Sequence, residues 1–136
     1  MRFTMPQKVK FKHCDPAGIV FYPRYFEMIN DCVEAFFDEG LEVPFEEVHR
    51  NGGVPTAEIS VQFTAPSRHG DRLELSLTPT RLGRSSLGIR TEATCDGERR
   101  FVATSTLVLI DGQGKSTPWP DHLRAKLRGW IQQAAA

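Results

Sequence analysis

The stretch from residue 22 to residue 40 constrains this chain most. Within it Phe26, Ile29, Val33, Phe36 and Phe37 recur at helical spacing, while Arg24, Glu27, Asp31, Glu34 and Asp38 fall largely on the other side. Pro23 suits the first helical turn, where its missing N–H would have no partner in any case. Gly40 suits the C-terminal stop. The apolar stripe is wide and carries three phenylalanines, which predicts a long helix deeply buried rather than laid on a surface.

Most of the remaining chain has a period of two. Val9, Phe11 and His13 alternate with Lys8, Lys10 and Lys12, predicting a half-buried strand over residues 7–13. Ala57, Ile59, Val61, Phe63 and Ala65 alternate with polar neighbours, as do Leu73, Leu75 and Leu77, then Leu87, Ile89, Thr91 and Ala93. Residues 101–110 form the most apolar strand, closed by Asp111-Gly112. Residues 44–51 suit a short helical turn, and residues 121–133 a terminal amphipathic helix with Leu123, Leu127, Trp130 and Ile131 on one face.

One apolar helix cannot cover both faces of a five-stranded antiparallel sheet. A sheet that curls around the helix buries it and turns its own polar side outwards. The expected class is therefore α+β: five antiparallel strands wrapped around a long central helix, plus a C-terminal helix. With 136 residues, the chain fits a single domain over 1–136. Domains of this arrangement commonly pair their sheets edge to edge across a two-fold axis, so a homo-oligomer is expected, a dimer or a dimer of dimers.

Lys plus Arg equals Asp plus Glu, 17 of each, which argues against a nucleic-acid or acidic-membrane partner. The three cysteines, Cys14, Cys32 and Cys95, are widely spaced and read as reduced thiols. No His or Cys falls at metal-ligand spacing, so no metal is expected. The N-terminal apolar run is short for a signal peptide, and no segment approaches membrane-spanning length. A cytoplasmic protein is the expectation.

The chemistry concentrates in His13-Cys14-Asp15-Pro16-Ala17-Gly18-Ile19-Val20-Phe21-Tyr22-Pro23-Arg24-Tyr25-Phe26. A carboxylate stands in a tight turn just before a buried helix. Helix N-termini offer unpaired N–H groups and the positive end of a dipole, suited to a carbonyl that becomes an oxyanion. A carboxylate facing that point can attack the carbonyl carbon or activate a water. On local grounds alone, an Asp before Pro is more often a turn or capping residue.

This segment resembles the active-site signature of the 4-hydroxybenzoyl-CoA thioesterase family, Asp-x-x-Gly-(Ile/Val)-Val-aromatic followed by Tyr or Phe. Asp15, Gly18, Val20, Tyr22 and Tyr25 fall on matching positions, and Pro66 with Gly70-Asp71 continues the likeness further along. The resemblance implies the hotdog fold and hydrolysis of an acyl-CoA thioester to free acid and CoA, aromatic such as hydroxybenzoyl-CoA, or of short or medium chain. No cofactor is implied, coenzyme A being part of the substrate. It also implies that Asp15 is the catalytic carboxylate, as nucleophile or general base, and that the backbone N–H at Tyr22 polarises the thioester carbonyl. Gly18 would let the loop backbone approach the substrate. Pro23 stands where many members acting on short aliphatic acyl-CoA carry His, and the Tyr-Pro pair resembles the aromatic branch more closely.

Phe21, Tyr22, Tyr25 and Phe26 are candidates to line an acyl tunnel. Asn30 reaches its far end or makes a polar contact within a dimer. Arg84, Ser85 and Ser86 hold CoA phosphates or form an ordinary polar hairpin, and Arg81, Arg99 and Arg100 add positive charge. His13 orients Asp15, donates to the leaving thiolate, or is a buried hydrogen-bonded histidine. Two other functions fit the same fold: a hydratase or dehydratase, whose His-rich segment is missing here, and a non-catalytic acyl-CoA binding module.

Overall fold

A computed structural model describes residues 2–135. Strand β1 (Phe3–Lys8) and a 3-10 turn at Phe11–His13 precede helix α1 (Pro23–Ala35), which continues through a wider last turn at Phe36–Gly40. The short helix α2 (Phe45–Val48) leads into β2 (Gly52–Gly53), β3 (Thr56–Phe63), β4 (Arg72–Leu82), β5 (Ser86–Cys95), β6 (Glu98–Val108), β7 (Ile110–Asp111) and α3 (Asp121–Ala135). Five strands form one antiparallel sheet in the order β1-β4-β5-β6-β3, and β2 pairs with β7 apart from it.

The expected α+β arrangement is present, with the sheet packed around the central helix. Leu73, Leu75 and Leu77 of β4, Leu87, Ile89 and Ala93 of β5, and Phe101, Ala103 and Leu107 of β6 alternate inwards. Against them α1 buries Tyr25, Met28, Ile29, Cys32 and Val33. Each buried Val, Leu, Ile, Met or Phe side chain among these contributes about 1.5–3 kcal/mol. The helix ends as wide i→i+5 spacing, with Leu41 N–H donating to Phe36 O at 2.8 Å. A Cβ on Gly40 would lie 2.9 Å from the Phe36 ring and 3.3 Å from Trp130, so close packing demands glycine there. Helix α3 locks this end: Trp130 meets Phe36 edge-on at 5.2 Å, and Lys126 Nζ donates to Leu41 O at 2.8 Å.

The first strand departs from the sequence expectation. It runs Phe3–Lys8, not 7–13, and Phe11 is 80% exposed instead of facing inwards. Val9 N–H and C=O are taken by Asp71 O and Gly70 N–H, after which the chain leaves the sheet. Lys10 N–H then donates to His13 Nδ1 at 2.8 Å, folding residues 11–13 into a 3-10 turn. An alternating pattern of seven residues cannot register such a local side-chain competitor for the backbone.

The two outer strands of the sheet differ. β1 is short and carries Pro6, whereas β3 keeps one edge unpaired along its eight residues among the described residues. No helix among them is long and apolar enough to cross a membrane.

Candidate active site

The turn after His13 closes on itself before the helix begins. Asp15 N–H donates to Ile19 O at 3.0 Å, Gly18 N–H to Asp15 O at 2.9 Å, and Phe21 N–H to His13 O at 2.9 Å. Gly18 sits at φ +82°, a left-handed conformation that glycine adopts without a Cβ penalty. No protein atom lies within 4 Å of where its Cβ would be, so the backbone angle is what requires glycine within the chain.

Asp15 is half-buried, and its Oδ1 accepts the Ala17 N–H at 2.9 Å. It is therefore a turn residue through one oxygen. Oδ2 has no protein partner among the described residues, and no Lys, Arg or His there pairs with the carboxylate. One oxygen fixes the side chain while the other stays open.

Tyr22 caps the helix at φ −53° and Pro23 occupies the first helical position. Arg24 N–H donates to Phe21 O at 2.8 Å and Tyr25 N–H to Tyr22 O at 3.1 Å, while Pro23 has no N–H. The Tyr22 N–H is left without an acceptor among the described residues. A free N–H at the positive end of a 13-residue helix suits a developing oxyanion.

A cleft of about 610 Å³ opens at this helix start, lined by Ile19, Val20, Tyr22, Tyr25, Phe63 and Pro66. Its walls are aromatic. Tyr25 stacks on Phe63 at 5.7 Å and leans on Phe101 at 5.0 Å, and Tyr22 meets Phe63 edge-on at 6.1 Å. Burial pushes the Tyr25 phenol above its ordinary pKa, which keeps it neutral. Farther along α1 a second cavity of about 210 Å³ is lined by Phe26, Ile29, Asn30, Ile59 and Ser105, among others. A third, of about 360 Å³, lies between α2, β7 and the start of α3, away from the Asp15 turn.

The site rests on a clamp that no local pattern announces. Val20 N–H donates to Ser67 O at 2.9 Å, and Ile19 bridges to Arg68. Arg100, nearly buried, holds that segment from β6: Nη1 donates to Pro66 O (3.1 Å), Ser67 Oγ (3.1 Å) and Asp71 Oδ2 (2.7 Å). Its Nε lies 2.8 Å from Glu98 Oε1, an ionic contact without hydrogen-bond geometry. Arg100 is thus engaged within the chain and is not the free cation that its charge alone suggested.

His13 is buried, with Nδ1 accepting from Lys10, so its Nε2 carries the proton in the neutral ring. Burial first, then the charge of Lys12, holds its pKa below the ordinary value. The three cysteines are free thiols, and burial pushes Cys32 up to about 12. Among the described residues no three His, Cys, Asp or Glu side chains are grouped to hold a metal ion.

The predicted residues do not all meet. Tyr22 and Tyr25 share the first cleft with Phe63, which the sequence reading placed on a strand and not in a site. Phe26 and Asn30 share the second. Phe21 is exposed, edge-on to Tyr22 at 5.6 Å, and outside the cleft lining. Arg84, Ser85 and Ser86 stand at the other end of the sheet. β1 meets β4 at Lys8 and Arg72, near the Asp15 turn, whereas the Gly83–Ser86 turn lies a full 11-residue strand away, about 35 Å. There Arg124 donates to Gly83 O and Arg84 O, and Trp119 Nε1 to Ser86 O.

Known proteins are similar to this chain in sequence and fold. The family model described as the thioesterase-like superfamily matches residues 9–127. A 1,4-dihydroxy-2-naphthoyl-CoA hydrolase from Nostoc punctiforme is 31% identical over 121 residues, covering 85% of this chain and 79% of the relative. A 4-hydroxybenzoyl-CoA thioesterase from Pseudomonas sp. (strain CBS-3) is 31% identical over 75 residues, 53% of either chain. A solved thioesterase superfamily structure from Jannaschia sp. CCS1 superposes with a TM-score of 0.88 at 30% identity, covering 95% of this chain and 92% of that one. The chain belongs to the thioesterase-like superfamily and is a hotdog-fold thioesterase.

Proposed function

We propose that this protein hydrolyses an aromatic acyl-CoA thioester to the free acid and coenzyme A. The observation that carries the reading is that one Asp15 oxygen and the Tyr22 N–H, at the two ends of the 15–22 loop, both lack a partner among the described residues. The thioester carbonyl oxygen accepts from the Tyr22 N–H, which stabilises the charge that develops on it. Asp15 attacks the carbonyl carbon to form a mixed anhydride that water then hydrolyses, or takes a proton from a water that attacks in its place. In either route the C–S bond breaks to release the CoA thiolate, and the water supplies the proton the thiolate gains. The thiolate gains a proton and the acid leaves. Tyr22, Tyr25 and Phe63 offer flat apolar walls for an aromatic acyl group. The relatives named for aromatic acyl-CoA substrates favour the same class.

The working unit in this reading is a homo-oligomer built through β3. Antiparallel pairing of two β3 edges turns one protomer end for end relative to its partner. The Gly83–Ser86 turn of the partner then lies at the end of the sheet that carries the Asp15 turn. This gives Arg84, Ser85 and Ser86 a route to the CoA phosphates that they lack within one chain. A monomer at working concentration, measured by light scattering, would count against it.

Thiol release from a panel of aromatic, short and medium acyl-CoA substrates tests the reaction. Aromatic thioesters should give the highest kcat/KM, with free acid as the co-product. An enoyl product, or binding without thiol release, would overturn the assignment.

A further inference from the structure

We propose that Ser105 is a specificity-determining residue of this site, its buried hydroxyl hydrogen-bonding to a hydroxyl at the far end of an aromatic acyl group. The inference rests on the thioesterase reading, with the carbonyl end of the substrate at Tyr22.

Ser105 is 6% exposed, and its Oγ has no hydrogen-bond partner among the described residues. A buried hydroxyl left unpaired costs about 1–3 kcal/mol, and an alanine such as neighbouring Ala103 would avoid that cost. Thr91 Oγ1 is also unpaired on the inner sheet face, but Thr91 does not line this cavity. Ser105 does. It stands in the wall of the 210 Å³ cavity, opposite Phe26 and Asn30 of α1.

This cavity and the first cleft lie along one seam between α1 and β3. On the helix side the positions run Tyr22, Phe26 and Asn30, one face at successive turns. On the strand side Phe63 borders the first cleft and Ile59 the second, and Ile59 is the β-partner of Ser105. Eight helical residues from Tyr22 to Asn30 span about 12 Å. Four strand residues from Phe63 to Ile59 span about 13 Å. The two paths agree, so Ser105 stands about 12–13 Å along the seam from Tyr22. A fused two-ring acyl group bearing a hydroxyl on its distal ring spans the distance.

The chemistry of the pocket fits that group. An apolar cavity of about 150 Å³ is enough for benzene, so this one has room for a ring and its substituent. The serine hydroxyl both donates and accepts, as a phenol does. A ring without the hydroxyl would leave Ser105 unpaired as it is in the free protein, so only the hydroxylated substrate gains the hydrogen bond.

The test compares naphthoyl-CoA with its analogue hydroxylated on the distal ring, in wild type, Ser105→Ala and Ser105→Thr, read by thiol release. Wild type should prefer the hydroxylated substrate by about tenfold in kcat/KM, the worth of one buried hydrogen bond. Ser105→Ala should lower that preference to within about twofold through loss on the hydroxylated substrate alone, with a melting temperature equal to wild type or higher. Ser105→Thr should keep the preference. An unchanged preference in Ser105→Ala, or equal losses on both substrates, would overturn the proposal. Equal wild-type rates on the two thioesters would overturn it while leaving the thioesterase reading intact. No wild-type thiol release from any acyl-CoA would overturn both.

Discussion

Arg100 and Asp71, 29 residues apart, are joined by a 2.7 Å hydrogen-bonded ion pair that pins the segment on which the Asp15 turn leans. Replacing Arg100 by Met should cost about 1–3 kcal/mol, because Asp71 and Ser67 lose a charged donor in a partly buried site. The Arg68 N–H first, and the Arg100 guanidinium second, hold the Asp71 carboxyl below its ordinary value of 3.8. A depressed carboxylate adds stability that is complete above 3.8 and is lost as pH falls through the folded value. Urea unfolding against pH should therefore show an acid limb that weakens in Asp71→Asn. An acid limb identical in the two proteins would count against the clamp.

This pair shows where the sequence stops being legible. The central helix, the four later strands and the Asp15 loop follow from periodicity, Gly and Pro positions, and one local motif. Arg100 carries only a strand signal and Asp71 a turn signal, and the pairing of the strands between them brings the two together. Phe63 likewise carries a strand signal, and its place beside Tyr25 depends on how the sheet curls over α1. The misplaced first strand has a different cause. The His13 side chain captures the Lys10 N–H and draws residues 11–13 out of the extended conformation that their alternation predicts.

If the donor to the carbonyl is the Tyr22 N–H, its phenol is dispensable. Tyr22→Phe should keep kcat within about twofold, since the side chain is largely exposed and the peptide is unchanged. Tyr22→Pro is compatible with the observed φ of −53° but removes the N–H. It should lower kcat by about 10²–10³-fold. Circular dichroism and melting of both variants separate loss of the donor from loss of the helix. The reverse order of effects would assign the role to the phenol.

His13 should take up its proton at lower pH than an exposed histidine does. Its folded pKa lies below the unfolded 6.5, so the unfolded chain binds the proton first. Stability then falls as pH drops through 6.5 toward the folded value. NMR of the imidazole should give a midpoint below 6.5. Urea midpoints taken at about pH 7.5 and about pH 5.5 should fall more in wild type than in His13→Gln. A midpoint above 6.5 would mean that a partner stabilises the imidazolium.

Asp15→Asn puts the central claim to its most direct test. The amide oxygen can still accept the Ala17 N–H, so the turn should keep its shape while the negative charge disappears. Thiol release from an aromatic acyl-CoA that wild type hydrolyses should fall by about 10²–10⁴-fold in kcat, with melting and oligomeric state unchanged. Turnover within about twofold of wild type in a folded Asp15→Asn protein would contradict the assignment of Asp15 as the carboxylate that acts on the thioester.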